Sequence, residues 1–91
     1  MSMKPTTQIK TISKAIVECS PANTSFEAGE LAQKVQIILG EFIPEWFTES
    51  YDSRPLHTKA ETICEFNMKQ MEIDGIVSRV APRTWAKKPV T

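Results

Sequence analysis

The chain has 91 residues, 41% of them hydrophobic and 24% charged, and its 11 basic and 11 acidic side chains leave no net charge. A chain of this length builds one modest core. Balanced charge argues against a protein whose main work is to coat nucleic acid, for which a basic excess is expected. No apolar run approaches the roughly 18 residues of a membrane span. Met1-Ser2-Met3-Lys4-Pro5 lacks the apolar stretch of a signal peptide, so the expected location is the cytoplasm. Cys19 and Cys64 lie far apart in apolar helical contexts, which predicts buried free thiols rather than a bridge.

The charge is unevenly spread. Residues 1–52 hold four lysines against seven carboxylates, and residues 53–91 hold seven basic side chains against four carboxylates. Such asymmetry can set up a usable field at zero net charge.

In chain order, residues 1–5 read as a loose tail, residues 6–88 as one domain and residues 89–91 as a second tail. A first helix is predicted from about Thr6 to Cys19, with Thr6 or Thr7 as its cap. Ile9, Ile12, Ile16 and Cys19 recur three and four apart, which places them on one buried stripe. Ser20-Pro21-Ala22-Asn23 ends that helix. Thr24-Ser25-Phe26 is short enough to be extended, and Thr24 or Ser25 caps a second helix from about Phe26 to Leu39. Gly40 stops it. Ala28, Leu31, Ala32, Val35, Ile38 and Leu39 form its apolar face, and Gly29 in its first turn permits close packing.

Residues 41–54 concentrate Phe42, Ile43, Trp46, Phe47 and Tyr51. Pro44 suits the first position of a short helix reaching about Tyr51. Two roles are open for these aromatics: closing the core or forming a contact surface. Glu41, Glu45 and Glu49 recur every fourth residue, a solvated acidic face rather than paired catalytic acids.

A long third helix is predicted from Pro55 to Asp74, capped near Ser53. Leu56, Ala60, Ile63 or Cys64, Met68 and Met71 share its apolar side. Phe66 falls off that stripe, and His57, Lys59, Glu61, Thr62, Glu65 and Lys69 point outward. Gly75 stops the helix. Ile76 to Val80 follows as a strand, with Ile76 and Val80 inward and Arg79 outward. Ala81-Pro82-Arg83 turns the chain, and Thr84-Trp85-Ala86 runs back. The fold class expected is mainly α with a small β-hairpin.

Met68-Lys69-Gln70-Met71-Glu72-Ile73-Asp74-Gly75-Ile76-Val77-Ser78-Arg79-Val80 resembles the end of the recognition helix and the opening of the wing in the winged helix-turn-helix family. Phe26-Glu27-Ala28-Gly29-Glu30-Leu31-Ala32 looks like that family's entry into its second helix. The resemblance implies a single winged domain whose third helix enters the major groove and whose wing touches the backbone or minor groove. Carried onto this chain, it makes His57, Thr58, Lys59, Thr62 and Asn67 the reading candidates, and Arg79, Arg83, Lys87 and Lys88 the wing candidates. The family joins its second and third helices by a short turn, whereas about fourteen residues intervene here.

Catalytic chemistry finds no support in the sequence. His57 is the single histidine and makes no metal-ligand spacing with Cys19 and Cys64. There is no glycine-rich phosphate loop, and no cofactor is implied. The expected function is therefore a small non-enzymatic regulator that binds double-stranded DNA, of the kind found in phages and mobile elements, gaining specificity by dimerisation. The alternative is an interaction module on the same scaffold, an inhibitor or adaptor meeting a protein partner through Glu41, Glu45, Trp46, Phe47, Glu49 and Tyr51.

Overall fold

The computed structural model describes residues 4–89. Three helices and a three-stranded antiparallel sheet follow in the order α1 (Pro5–Glu18), β1 (Ser25–Glu27), α2 (Ala28–Leu39), α3 (Lys59–Ile73), β2 (Val77–Ala81) and β3 (Thr84–Lys87). The chain is thus mainly helical with a small sheet, and the hairpin expected from the sequence gains β1 as a third strand.

Pro5 sits in the first turn of α1, where its missing N–H costs nothing. The buried stripe of this helix runs through Ile9, Ser13 and Val17, with Ile12 and Ile16 packed at its edge. It is rotated from the expected stripe, and Cys19, assigned to the core, is an exposed C-cap residue. Ser13 makes the rotation possible, because its hydroxyl donates to the Ile9 carbonyl at 2.6 Å and enters the core without an unmet donor.

The second helix begins two residues later than the sequence suggested. Ser25, Phe26 and Glu27 pair with Ala86, Trp85 and Thr84 of β3, so Phe26 enters the core from a strand. The helix cap is then Glu27, not Thr24 or Ser25. Its carboxylate accepts from the Glu30 N–H at 3.1 Å, and anionic groups suit a helix N-terminus. A Cβ on Gly29 would lie 2.9 Å from that carboxylate, so the glycine leaves room for the cap.

A short 3-10 turn, Glu45–Thr48, stands in place of the helix expected from Pro44 to about Tyr51, and another, Gly40–Phe42, precedes it. The segment then folds back on the start of α3. The Lys59 N–H donates to the Glu49 carbonyl at 2.6 Å, and Ser50 bridges Thr58. Residues 51–57 run through turns closed by the Arg54 N–H on the Tyr51 carbonyl at 2.9 Å and the His57 N–H on the Arg54 carbonyl at 3.3 Å, and Thr58 is extended, so α3 starts at Lys59 rather than Pro55. Thr58, not Ser53, is its cap, accepting from the Glu61 N–H at 3.1 Å. Leu56 accordingly precedes the helix and is 90% exposed instead of buried.

Ala60, Cys64, Met68 and Met71 of α3 fill the core as expected. Thr62 and Glu65, expected to point outward, are buried. The helix ends in a Schellman closure: Ile76 N–H to Met71 carbonyl at 2.9 Å and Gly75 N–H to Glu72 carbonyl at 3.1 Å. Gly75 has φ 81°, a conformation open to glycine at little cost.

The inward residue of β2 is Val77, while Ile76 packs at the core edge and Val80 is exposed. With Val77 rather than Ile76 inward, alternation sets Val80 on the outer face, and Val80 falls where the register slips, between Arg79 and Ala81. Trp85 of β3 lies buried at the centre of the sheet, and its indole N–H donates to Glu72 at 2.8 Å.

The two thiols differ in environment. Cys64 is buried and burial drives its thiol up to about 11, while Cys19 is exposed. A thiol reagent added to the folded protein is expected to titrate Cys19 alone, and both cysteines after denaturation. Rapid native modification of Cys64 would contradict the packing of α1 on α3.

Candidate functional site

The turn Pro82-Arg83 brings one guanidinium to the starts of two helices. Arg83 has φ 54°, and its carbonyl accepts from the Ala28 N–H at 3.0 Å. Its side chain reaches Glu27 and Glu61 at 3.4 Å each and Glu65 at 3.8 Å. Arg54, from the segment before α3, meets Glu65 at 2.7 Å, and Lys69 approaches the same carboxylate at 3.9 Å. Burial pushes the Glu65 carboxyl up, but the Arg54 contact, with Lys69 and Arg83 nearby, outweighs it and holds the group below its ordinary value of 4.5.

The sequence-derived DNA-reading residues do not gather on one open face. Thr62 is 3% exposed, and its hydroxyl donates to the Thr58 carbonyl at 3.1 Å. His57 and Thr58 precede the helix, with His57 Nδ1 at 3.3 Å from Glu61. Lys59 lies 3.6 Å from Glu49 and over the Tyr51 ring at 5.3 Å. Asn67 turns into a cleft between α1 and α3, beside Lys10, Lys14, Gln70, Met71 and Asp74.

Of the wing candidates, Arg83 is engaged by its three carboxylates. Lys87 donates to the Glu18 and Ser20 carbonyls at 2.6 Å each, where a cation complements the end of α1. Arg79 and Lys88 are exposed, and no carboxylate among the described residues pairs with either.

The acidic and aromatic segment divides differently from expectation. Phe47 is buried, and Trp46 is half-buried against the core, so these two close the core. Glu41, Glu45, Glu49 and Tyr51 face solvent. Phe42, not among the proposed contact residues, is 77% exposed, and so are Ile37 at 78% and Ile38. The run Ile37-Ile38-Leu39 carried a signal for this, since a single helical stripe cannot bury three consecutive apolar residues. A second apolar surface lies on α3, where Phe66 is 59% and Ile73 79% exposed.

Among the described residues, no group of three or more His, Cys, Asp or Glu could hold a metal ion, and no helix is long and apolar enough to cross a membrane. No family model, curated protein or solved structure matches the chain.

Two outcomes follow for the arginine cluster. Arg83→Ala should cost about 1–3 kcal/mol, the range for charge-assisted contacts of a partly exposed group. Arg83→Gly should recover about 1 kcal/mol of that loss by relieving the positive φ. Denaturant midpoints check both, and equal stability of the two variants would refute the assignment of backbone strain.

The second outcome concerns acid. The folded Glu65 carboxyl titrates below its unfolded value, so its contribution is full above about pH 4.5 and fades as pH falls through the folded value. The melting temperature of Glu65→Gln should therefore fall less steeply than wild type on acidification below that point.

Proposed function

We propose that the chain is a winged helix-turn-helix-like domain that works without catalysis, as a protein-interaction module. The scaffold reading is supported by the element order, helix, strand, helix, helix, strand, strand, and by the strand order β1-β3-β2. The observation that carries the function is the exposure of Ile37, Ile38 and Phe42 within six residues, next to the exposed carboxylates Glu41 and Glu45. Large apolar side chains clustered in this way mark a contact surface. An apolar centre with a polar rim is the usual anatomy of a protein interface, and an aromatic at that centre is the usual anchor.

Recognition of a groove edge is poorly served by the same surface. Glu41, Glu45 and Glu49 repel phosphates, and the folded-back segment occupies the first turn of α3, the part that would have to enter a groove. Most of the expected phosphate-binding side chains already have intramolecular partners. DNA binding stands as a second reading, favoured by the exposed cations Arg79 and Lys88 on the hairpin and its tail.

Phe42→Glu separates the two readings. Its unfolding midpoint should change by no more than about 0.5 kcal/mol, as at an exposed position, while affinity capture of the partner from the source cells is lost. Polarisation titrations on mixed duplex DNA at low and moderate salt should show no binding that depends on Arg79 and Lys88. Steeply salt-dependent binding, abolished by Arg79→Ala with Lys88→Ala and retained by Phe42→Glu, would overturn the interaction reading in favour of DNA.

A further inference from the structure

We infer that the cleft between α1 and α3 binds a free α-amino acid as a zwitterion, its carboxylate taken by Lys10, Lys14 and Asn67 and its ammonium by Asp74. The cleft shares no residue with the apolar surface at Phe42, so this site is tested separately from the interaction reading.

Helical spacing builds the cleft. Lys10 and Lys14 lie one turn apart on α1, while Asn67, Gln70, Met71 and Asp74 follow the three-and-four spacing of one face of α3 and its cap. The two helices also meet through Ser13 and Cys64, whose Oγ and Sγ stand 3.7 Å apart. The cleft has a volume of about 210 Å³. Sites for drug-sized ligands span roughly 300–1,000 Å³, so this one suits a smaller molecule. Met71, buried on the core side, supplies an apolar wall on which an uncharged side chain can rest.

Opposite charges line this cleft without closing on each other. Lys10 and Asp74 both border it, yet neither makes an ion pair among the described residues. Gln70 fixes the carboxylate of Asp74 by donating to its Oδ1 at 3.1 Å. Lys14 meets Glu18 at 3.8 Å, but both side chains are half-exposed, and a pair of that kind holds a lysine only weakly. Both lysines stand on the rim, bordering the outer surface of α1 as well, from which they can fold over an occupant. An anion alone would be repelled by Asp74, and a cation alone by the lysines. A molecule carrying both charges answers both at once.

Asn67 adds an independent feature. Its Nδ2 is enclosed and has no hydrogen-bond partner among the described residues, and an enclosed donor left unmet is costly. The χ2 torsion of asparagine is broad, so a modest turn of the amide presents this N–H to a carboxylate in the cleft.

Amide chemical shifts of the full chain, followed while L-alanine, L-valine or L-methionine is added into the millimolar range, test the site. At least one of the three should give saturable shifts centred on residues 10–14 and 67–74. The N-acetyl form of that amino acid lacks the ammonium and its amide form lacks the carboxylate, and each should bind at least about tenfold more weakly. Lys10→Ala and Asp74→Asn, both at exposed positions, should weaken binding by a similar factor. Asn67→Leu should also bind weakly, yet melt no lower than the wild type, because it removes the unmet donor.

An N-acetyl amino acid that binds as tightly as the free one would make this a plain anion site and overturn the zwitterion. Shifts that survive Asp74→Asn unchanged would have the same effect. No saturable shift with any of the three amino acids would overturn the site altogether.

Discussion

The guanidinium of Arg83 is the point at which the separate parts of this chain are held together. It is carried by the turn between β2 and β3, and it meets carboxylates from the cap of α2 and from the first turns of α3. Each of those carboxylates has another task. Glu27 caps α2, Glu61 receives His57, and Glu65 binds Arg54. Three elements distant in sequence are therefore fixed by one charged group, and a carboxylate as enclosed as Glu65 can stay ionised because cations surround it. The same arrangement engages with carboxylates the guanidinium that the hairpin turn would otherwise offer to a phosphate.

Much of the architecture was legible in the sequence because it depends on local rules. Gly75 announced the end of α3, Gly40 the end of α2, and Ala60, Cys64, Met68 and Met71 the buried side of the third helix. What the sequence concealed depends on contacts between distant residues. Ser25 to Glu27 form a strand because β3 lies beside them, and a three-residue strand has no periodicity of its own to read. Ser13 is buried through a hydrogen bond that hydropathy does not register. Thr58-Lys59-Ala60-Glu61 did hold a local signal, the spacing of a capping box. The proline at position 55 suggested an earlier start that the pairing of Ser50 with Thr58 overrides.

The candidate site was less legible than the fold for the same reason. Residue type placed Arg83 and Lys87 among the phosphate-binding groups, but their intramolecular partners lie 18 to 69 residues away in sequence. Aromatic content drew attention to Phe47, which is enclosed, and to Trp46, which is half-buried, while the exposed surface is built from Phe42 and the two isoleucines before it. A side chain's chemistry is set by composition, but its availability is set by what packs over it. On this chain the two separate most clearly in residues 41–54.

The segment between α2 and α3 has a further consequence. It is long enough to pass for a disposable connection, yet it places Phe47 in the core, Arg54 on Glu65 and the Glu49 carbonyl over the first amide of α3. Cutting it down to a tight turn would unroof one side of the third helix and strand a buried carboxylate. In architectural terms it is a wall of the domain, and the space it fills is space that no ligand of α3 can enter without first displacing it.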